Sequence, residues 1–204
     1  YQVRIFTPQS ELPFAGHPTI GTAYALLEAG LVTPKGGKLV QQCGAGLVTL
    51  TVSESSHISF ELPKPKITPL DAMHTEKLAE ILKCEINTQW NAALVDVGAR
   101  WIVLQAVNAD AVLDSHPDFA ALKEHDLEMK VTGATIFGFH ENNDEKKHIE
   151  VRSFAPSCGI NEDPVCGSGN GSVASFIRYY GILPAQNDVV VSSQGGAVGR
   201  DGQQ

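Results

Sequence analysis

Hydrophobic residues in this sequence alternate with polar residues in some stretches and recur at helical spacing in others, which predicts both strands and helices. The alternating stretches predict strands at Tyr1–Thr7, Lys38–Gln42, Gly46–Val52, His57–Leu62, Ala92–Val97, Arg100–Gln105, Ala134–His140, His148–Phe154 and Asp188–Ser193. The helical spacing predicts helices from Pro18 or Thr19 to Ala29, and at Thr75–Leu82, Pro117–His125 and Pro164–Tyr180. The first of these helices is apolar on most sides, which predicts that it is buried in the middle of a domain.

The segment from Arg152 to Gly181 has the most distinctive local pattern. Asp163 followed by Pro164 is typical of a helix start, with an N-cap acceptor and then a proline where no N–H is needed. The next residues are small and rich in glycine, which is a poor choice for helix propensity. Glycines at a helix start leave room for a ligand to approach the backbone amides. This segment therefore predicts a ligand-binding helix start.

The layout of this segment occurs a second time near the beginning of the chain. An offset of 148 pairs the residues Arg4, Phe6 and Pro8 with Arg152, Phe154 and Pro156. An offset of 151 then pairs Glu11, Pro13, Gly16, Ala23 and Gly30 with Glu162, Pro164, Gly167, Ala174 and Gly181. A period of this length is too long for a solenoid. It predicts two homologous halves, 1–65 and 66–204, joined at Pro63–Lys66, whose glycine-rich helix starts face each other across a cleft.

The repeat also predicts what each half lacks. The second half has many residues before its RSFAP turn, whereas the first half has only three before Arg4, and the first half continues further after Gly44 than the second does after Gly195. We therefore expect both ends to be clipped, so that the first half lacks an upstream segment and the second lacks its last strands.

Composition narrows the possible functions. The 204 residues are 43% hydrophobic and 19% charged, which is ordinary for a globular protein, and the formal net charge is −8. Nucleic-acid binding needs clustered Lys and Arg, and none cluster here. No apolar run is long enough to span a membrane. The four cysteines have no CxxC spacing, which disfavours a zinc knuckle and a disulfide framework. We expect a cytoplasmic protein.

Three polar residues at the helix starts are candidates for chemistry. His17 lies between Gly16 and Pro18, where the positive end of the helix dipole disfavours the imidazolium, so a neutral ring could orient a substrate. Asp163 is either an N-cap or a catalytic carboxylate, and the cap is favoured by base rate. Ser168 could add a hydroxyl, and Gly16 and Gly167 could offer backbone amides to a carboxylate or an enolate. Glu162 is interpreted as a solvated charge.

Cys166 supports an alternative. A thiol at a helix N-terminus has a lowered pKa and could act as a base or nucleophile, as in racemases that use two thiols. The repeat pairs Cys166 with Ala15, so the second thiol is missing, and a small buried side chain is the favoured interpretation. The other histidines lack ligand spacing, and neither GxGxxG nor a Walker A motif is present, so no metal and no nucleotide cofactor is expected.

The two segments ELPFAGHPTIGTA and RSFAPSCGINEDPVCGSGNG resemble the paired signature motifs of the PhzF-type phenazine-biosynthesis isomerases. The resemblance implies an α+β fold of the diaminopimelate epimerase type, with two pseudo-symmetric halves, each a curved sheet around a central helix. It also implies a homodimer that isomerises trans-2,3-dihydro-3-hydroxyanthranilate by proton transfer without a cofactor.

By the same resemblance, His17 and Asp163 match the catalytic pair, Ser168 matches a substrate-contacting serine, and Gly16 and Gly167 match the carboxylate-binding helix starts. The acid/base glutamate of the family lies upstream of the VRIFTP strand and is not in this sequence. Cys166 stands where the phenazine enzymes have threonine and the epimerases a catalytic cysteine. We expect a cofactor-independent isomerase of a small carboxylate; an epimerase or racemase using Cys166, or a non-catalytic binding relative, are the alternatives.

Overall fold

The computed structural model describes residues 1–6, 11–144, 147–183 and 189–203. The chain forms two compact units, Tyr1–Pro63 and Lys64–Gln204. Both units combine helices with sheets that are mainly antiparallel, so the predicted α+β class is confirmed.

The first unit packs one helix against a small antiparallel sheet. Its elements are β1 (Ile5–Phe6), β2 (Glu11–Leu12), α1 (Gly16–Glu28), β3 (Lys38–Cys43), β4 (Gly46–Val52) and β5 (Ile58–Phe60). Strands β3, β4 and β5 form a meander, and β1 pairs with β2. Ala23 of α1 packs against Leu39 and Leu50 of the sheet. Only one stripe of α1 is buried and Tyr24 is 55% exposed, so the predicted burial on most sides is wrong within this chain, because three strands cover one side of a helix.

The second unit is built on an eight-stranded sheet. Its strands are β6 (Lys66–Pro69), β7 (Ala93–Asp96), β8 (Arg100–Gln105), β9 (Gly133–Asp144), β10 (Lys147–Ala155), β11 (Ile160–Asp163), β12 (Ser192–Gln194) and β13 (Gly202–Gln203). The order is β13-β12-β10-β9-β8-β7-β6, and β11 pairs with β10 beyond this path. The pairs β8–β9 and β10–β12 are parallel, and the other pairs are antiparallel.

Helices cover both faces of this sheet. They are α2 (Ala72–Leu82), α3 (Ala109–Leu113), α4 (Phe119–Met129) and α5 (Gly167–Tyr180). Alternate residues of the strands feed two cores: Ile102 and Ile136 pack with Leu78 and Leu122 of α2 and α4, while Phe137 packs with residues of α5. Helix α5 and the turn before it therefore pack against one face of the sheet.

Several predicted elements are confirmed, and others differ for local reasons. Strands β4 and β8 have the predicted bounds. Helix α2 begins earlier than predicted because Asp71 caps it, accepting from the amide of His74 at 2.7 Å. Helix α4 begins later because Asp118 caps the amides of Ala120 and Ala121.

Other predictions fail where pairing partners decide the outcome. The long first strand is wrong: β1 has two residues, Gln2 forms only an isolated bridge, and Thr7 lies outside the described residues. The interval between the predicted strands Ala134–His140 and His148–Phe154 is largely occupied by extensions of β9 and β10, with residues 145–146 outside the described part. In place of the predicted strand Asp188–Ser193, the structure has the shorter β12 (Ser192–Gln194), and Asp188 lies outside the described residues. Strands β6, β11 and β13 and helix α3 were not predicted.

Candidate active site

The turn before α5 differs from the predicted helix start. The N-cap is Cys166, and Asp163 is the last residue of β11, where it pairs with Ser153 of β10. The prediction that Asp163 caps this helix is therefore wrong. Pairing with β10 keeps the backbone at Asp163 in a strand, so the chain turns into the helix three residues later than the Asp-Pro pattern suggests.

Asp163 nevertheless lies beside the helix start. One carboxylate oxygen, Oδ1, accepts a hydrogen bond from the amide of Val165 at 3.2 Å. The other oxygen has no hydrogen-bond partner among the described residues, and the side chain is half-buried. The Asp163 charge also acts on Cys166, where it helps to raise the pKa of the thiol. A half-buried carboxylate with one open oxygen can exchange a proton with a ligand.

The first residues of α5 offer hydrogen-bond donors. The amides of Gly167 and Ser168 have no acceptor within the described part of the chain, as expected for the first turn of a helix. The Ser168 hydroxyl accepts a hydrogen bond from the indole Nε1 of Trp101 at 2.9 Å, and its own hydrogen can be donated either to Sγ of Cys166, 3.7 Å away, or to a ligand. This helix start can therefore bind an anion through two amides and a hydroxyl.

The thiol of Cys166 does not have the lowered pKa that its position suggested. Its side chain is 5% exposed and packs in the core beneath α5. Burial raises the pKa of Cys166 to about 12, and the Asp163 charge adds to this, although the thiol accepts a hydrogen bond from the amide of Gly169 at 3.3 Å. The structure favours the interpretation of Cys166 as a small buried side chain that caps the helix.

Glycines let the backbone of this turn pack closely against its neighbours. A Cβ atom at Gly169 would lie 2.4 Å from Oγ of Ser153, and one at Gly195 would lie 2.6 Å from the carbonyl oxygen of Pro164. Gly195 also has a φ of +92°, a value that other residues rarely adopt. The turn is thus enclosed by β10 on one side and by the residues after β12 on the other.

The first unit contains a helix start of the same kind. Helix α1 begins at Gly16, two residues earlier than predicted, with Ala15 as its N-cap. Gly16 is buried and His17 is exposed, in the second helical position that Ser168 occupies in α5. The offset of 151 that pairs Gly16 with Gly167 also pairs the two N-caps, Ala15 and Cys166.

Two further polar contacts recur at the same offset. Gln41 of β3 donates to Thr19 of α1 at 2.8 Å, and Ser192 of β12 donates to Asn170 of α5 at 2.6 Å. In both units a side chain from a strand thus binds the fourth residue of the glycine-started helix. These contacts support the predicted duplication, which stays a prediction.

Glu162 does not carry the solvated charge that we predicted. Its carboxylate forms a bidentate ion pair with Arg152, and both side chains are 7% exposed. The repeat carried a signal for this pair, because it preserves both residues as Arg4 and Glu11, which also form a bidentate pair. A hollow of about 850 Å³ beside Arg152 and Glu162 includes none of the predicted site residues.

The structure brings Asp163, Cys166, Gly167 and Ser168 together within the second unit. Gly16 and His17 lie at the helix start of the first unit. The predicted proximity of His17 to Asp163 stays a prediction, because these residues belong to different units. Trp101 and Gln194, which contact this helix start, were not found from the sequence, because their sequence separation gives no local signal.

The described residues contain neither a metal-binding cluster nor a membrane-spanning helix. No group of three or more His, Cys, Asp or Glu side chains there could hold a metal ion. Within the same residues, every helix is too short or too polar to cross a bilayer.

Known proteins match this chain over most of its length. Antisense-enhancing sequence 1 of Schizosaccharomyces pombe is 41% identical over 184 residues, which cover 87% of this chain and 61% of that protein. The chain thus spans about three fifths of the length of that relative. The trans-2,3-dihydro-3-hydroxyanthranilate isomerase of Pseudomonas fluorescens is 28% identical over 200 residues, covering 97% of this chain and 66% of that protein.

A solved structure shows the same fold. The PhzF-family phenazine biosynthesis protein of Bacillus anthracis matches with a TM-score of 0.82 and 24% identity, covering 99% of this chain and 70% of that one. A family model described as phenazine biosynthesis-like protein, PhzC-PhzF, matches residues 1–204. The fold and this match agree with the two signature segments, and the chain belongs to the PhzC-PhzF family of phenazine biosynthesis-like proteins.

Proposed function

We propose that this protein is a cofactor-independent isomerase that moves a proton on a small carboxylate substrate, similar to trans-2,3-dihydro-3-hydroxyanthranilate. The observation that carries the proposal is the position of Asp163, a half-buried carboxylate with one open oxygen, directly before a helix start whose amides at Gly167 and Ser168 are open. A carboxylate beside an anion-binding helix start suits proton transfer next to a bound carboxylate group.

The roles follow from the chemistry of each group. Gly167 and Ser168 bind the substrate carboxylate, with Gly16 making an equivalent contribution from α1. Asp163 and His17 position the reacting part of the substrate. The acid/base glutamate that the family resemblance places upstream of Val3 carries the transferred proton in the whole protein. Each such acid–base group contributes about 10²–10⁴-fold to the rate.

The alternative in which Cys166 acts as the base of an epimerase or racemase is less well supported. A thiol with a pKa of about 12 is almost entirely protonated near neutral pH, and its burial keeps it away from a ligand. We also propose that the protein is a homodimer and that it is cytoplasmic. Analytical ultracentrifugation tests the first point, and cell fractionation tests the second.

The test is deuterium incorporation. The whole protein is incubated in D₂O with trans-2,3-dihydro-3-hydroxyanthranilate, and proton NMR follows isomerisation and exchange at carbon. We expect turnover by the unaltered protein and a loss of about 10²–10⁴-fold in Asp163→Asn and in His17→Gln. Binding of this carboxylate without exchange would overturn the proposal in favour of a non-catalytic relative. Exchange that survives both substitutions but is lost in Cys166→Ser would favour the racemase alternative.

A further inference from the structure

We propose that Gln194 is a positioning residue that holds Asp163 and the start of α5 in a fixed relation. The inference rests on the proposed function, since it concerns the same site. Gln194 is the last residue of β12 and its side chain is 1% exposed. Within the described residues, the hydrogen bonds of its side chain go to the backbone of Asp163 and Cys166 and to the side chain of Asn170. Gln194 therefore acts on the site through these residues.

The side-chain amide of Gln194 links the two ends of the turn, Asp163 and Cys166. Its Nε2 donates to the carbonyl oxygen of Asp163 at 2.9 Å, and its Oε1 accepts from the amide of Cys166 at 3.0 Å. Among the described residues, the only other hydrogen bond within the turn from Asp163 to Cys166 is the one from the Val165 amide to the Asp163 carboxylate. One side chain therefore fixes the distance between the strand that ends at Asp163 and the helix that Cys166 caps.

Asn170 holds the Gln194 side chain in place. Its Nδ2 donates to Oε1 of Gln194 at 2.8 Å and to the carbonyl oxygen of Cys166 at 3.0 Å. Its own Oδ1 accepts from the hydroxyl of Ser192 at 2.6 Å. Both residues at the ends of β12 are thus tied to the first turns of α5, and a buried amide with three good partners has one preferred orientation.

This arrangement also determines which backbone amides of the helix start are free to bind a ligand. The Cys166 amide is occupied by Gln194 and the Gly169 amide by the thiol of Cys166. The amides of Gly167 and Ser168, between them, remain open among the described residues. Gln194 therefore directs the anion to the two amides next to Ser168, at a set distance from Asp163.

The test compares two substitutions at Gln194. Gln194→Met keeps the approximate size and removes all three hydrogen bonds; we expect kcat to fall about 10- to 100-fold and KM to rise, as for a misplaced catalytic group. Gln194→Glu keeps both acceptor contacts and loses the donor to Asp163. We expect the Glu variant to lower kcat with KM unchanged, because the open amides of Gly167 and Ser168 keep their positions while the carbonyl group of Asp163 loses its contact.

The matched control is Gln105→Met, which removes another buried glutamine of the same sheet, one whose Oε1 has no partner within the described residues. Its kcat and KM should match those of the unaltered protein. Wild-type kcat and KM in both Gln194 variants would overturn the inference, and a Met variant that fails to fold leaves the Glu variant to decide.

Amide exchange separates this inference from the proposed function. NMR hydrogen exchange on the free protein should show at least about a 10-fold faster exchange of the Cys166 amide in Gln194→Met than in Gln105→Met, since the acceptor of this amide is lost. Unchanged Cys166 exchange would overturn the inference whether or not the substrate is turned over. Faster exchange in a protein with no isomerase activity would overturn the proposed function alone.

Discussion

Arg152 forms two parallel hydrogen bonds with Glu162, of 3.0 Å from Nε to Oε1 and 2.7 Å from Nη2 to Oε2. Arg4 and Glu11 form the same pair in the first unit, at 3.0 and 2.8 Å. Each arginine also lies over a phenylalanine ring two residues later, at 5.0 and 4.9 Å. The two pairs differ in burial: the side chains of Arg152 and Glu162 are 7% exposed, and those of Arg4 and Glu11 are 67% and 44% exposed.

This difference predicts unequal effects of the same substitution. Arg152→Met should lower the free energy of unfolding of the second unit by about 3–5 kcal/mol, because it leaves the buried Glu162 charge uncompensated. The carbonyl groups of Val112, Leu113 and Ser115 lose a donor as well. Arg4→Met is the matched control and should have a small effect, since water solvates the exposed Glu11. Hydrogen exchange with mass spectrometry reads the two units separately; equal losses from both variants would contradict the prediction.

The buried thiol predicts slow alkylation of Cys166. A pKa of about 12, against 9.0 for an unperturbed thiol, lowers the thiolate fraction near neutral pH about a thousandfold, in addition to the steric protection of burial. In single-cysteine variants of the folded protein, Cys166 should react with iodoacetamide much more slowly than the partly exposed Cys43. Rapid alkylation of Cys166 that a carboxylate ligand prevents would contradict this prediction and favour the racemase alternative.

Close packing at Gly169 predicts that alanine is not tolerated there. Its Cβ would lie 2.4 Å from Oγ of Ser153 and 3.1 Å from Oγ1 of Thr135, so Gly169→Ala should destabilise the second unit by about 1–3 kcal/mol. Gly21→Ala in α1 is the control: a Cβ there would have no atom of the described residues within 4 Å, and the substitution should stabilise its unit by about 0.4–1 kcal/mol.

Urea denaturation measures both glycine variants. Adding Ser153→Ala to Gly169→Ala should restore part of the loss, because it removes the nearest clashing atom. A destabilised Gly21→Ala, or no recovery in the double variant, would show that steric contact is not the cause.

The burial of Asp126 predicts that the free energy of unfolding depends on pH. Within the described residues, both Asp126 carboxylate oxygens are buried without a hydrogen-bond partner, and the distance from Nδ1 of His125 to Oδ1 of Asp126 is 3.7 Å. Burial raises the pKa of Asp126, and the attraction of His125 opposes this shift only in part. A carboxyl with a raised folded pKa binds more protons in the folded state, so its unfavourable contribution grows as the pH rises from the unfolded value and is fully present above the folded pKa.

Asp126→Asn should therefore stabilise the protein at neutral pH, and the difference from the unaltered protein should shrink as the pH falls and Asp126 becomes protonated. Denaturation curves at pH 7 and at lower pH measure this difference. The control is Asp118→Asn at the exposed cap of the same helix, which should show no stabilisation at pH 7. A stability difference for Asp126→Asn that is constant with pH would contradict the assignment.

Local chemistry in the sequence located the principal elements. Alternation gave the bounds of β4 and β8, and the glycine-rich segments indicated where α1 and α5 begin, although each start is shifted by a few residues. The repeat paired Gly16 with Gly167, which begin the two helices, and paired the arginines and glutamates that form the ion pairs. Such signals lie within short windows or within one internal alignment, and they need no knowledge of distant contacts.

The sequence by itself therefore determined the α+β class, the two signature segments and the identity of the residues at the helix starts. Tertiary structure alone decided that Asp163 ends a strand, that Cys166 caps α5 with a raised pKa, and that Gln194 and Trp101 bind this helix start. The physical reason is that burial, sheet pairing and side-chain hydrogen bonds depend on residues 10 to 67 positions away, and no local pattern encodes which of them will meet.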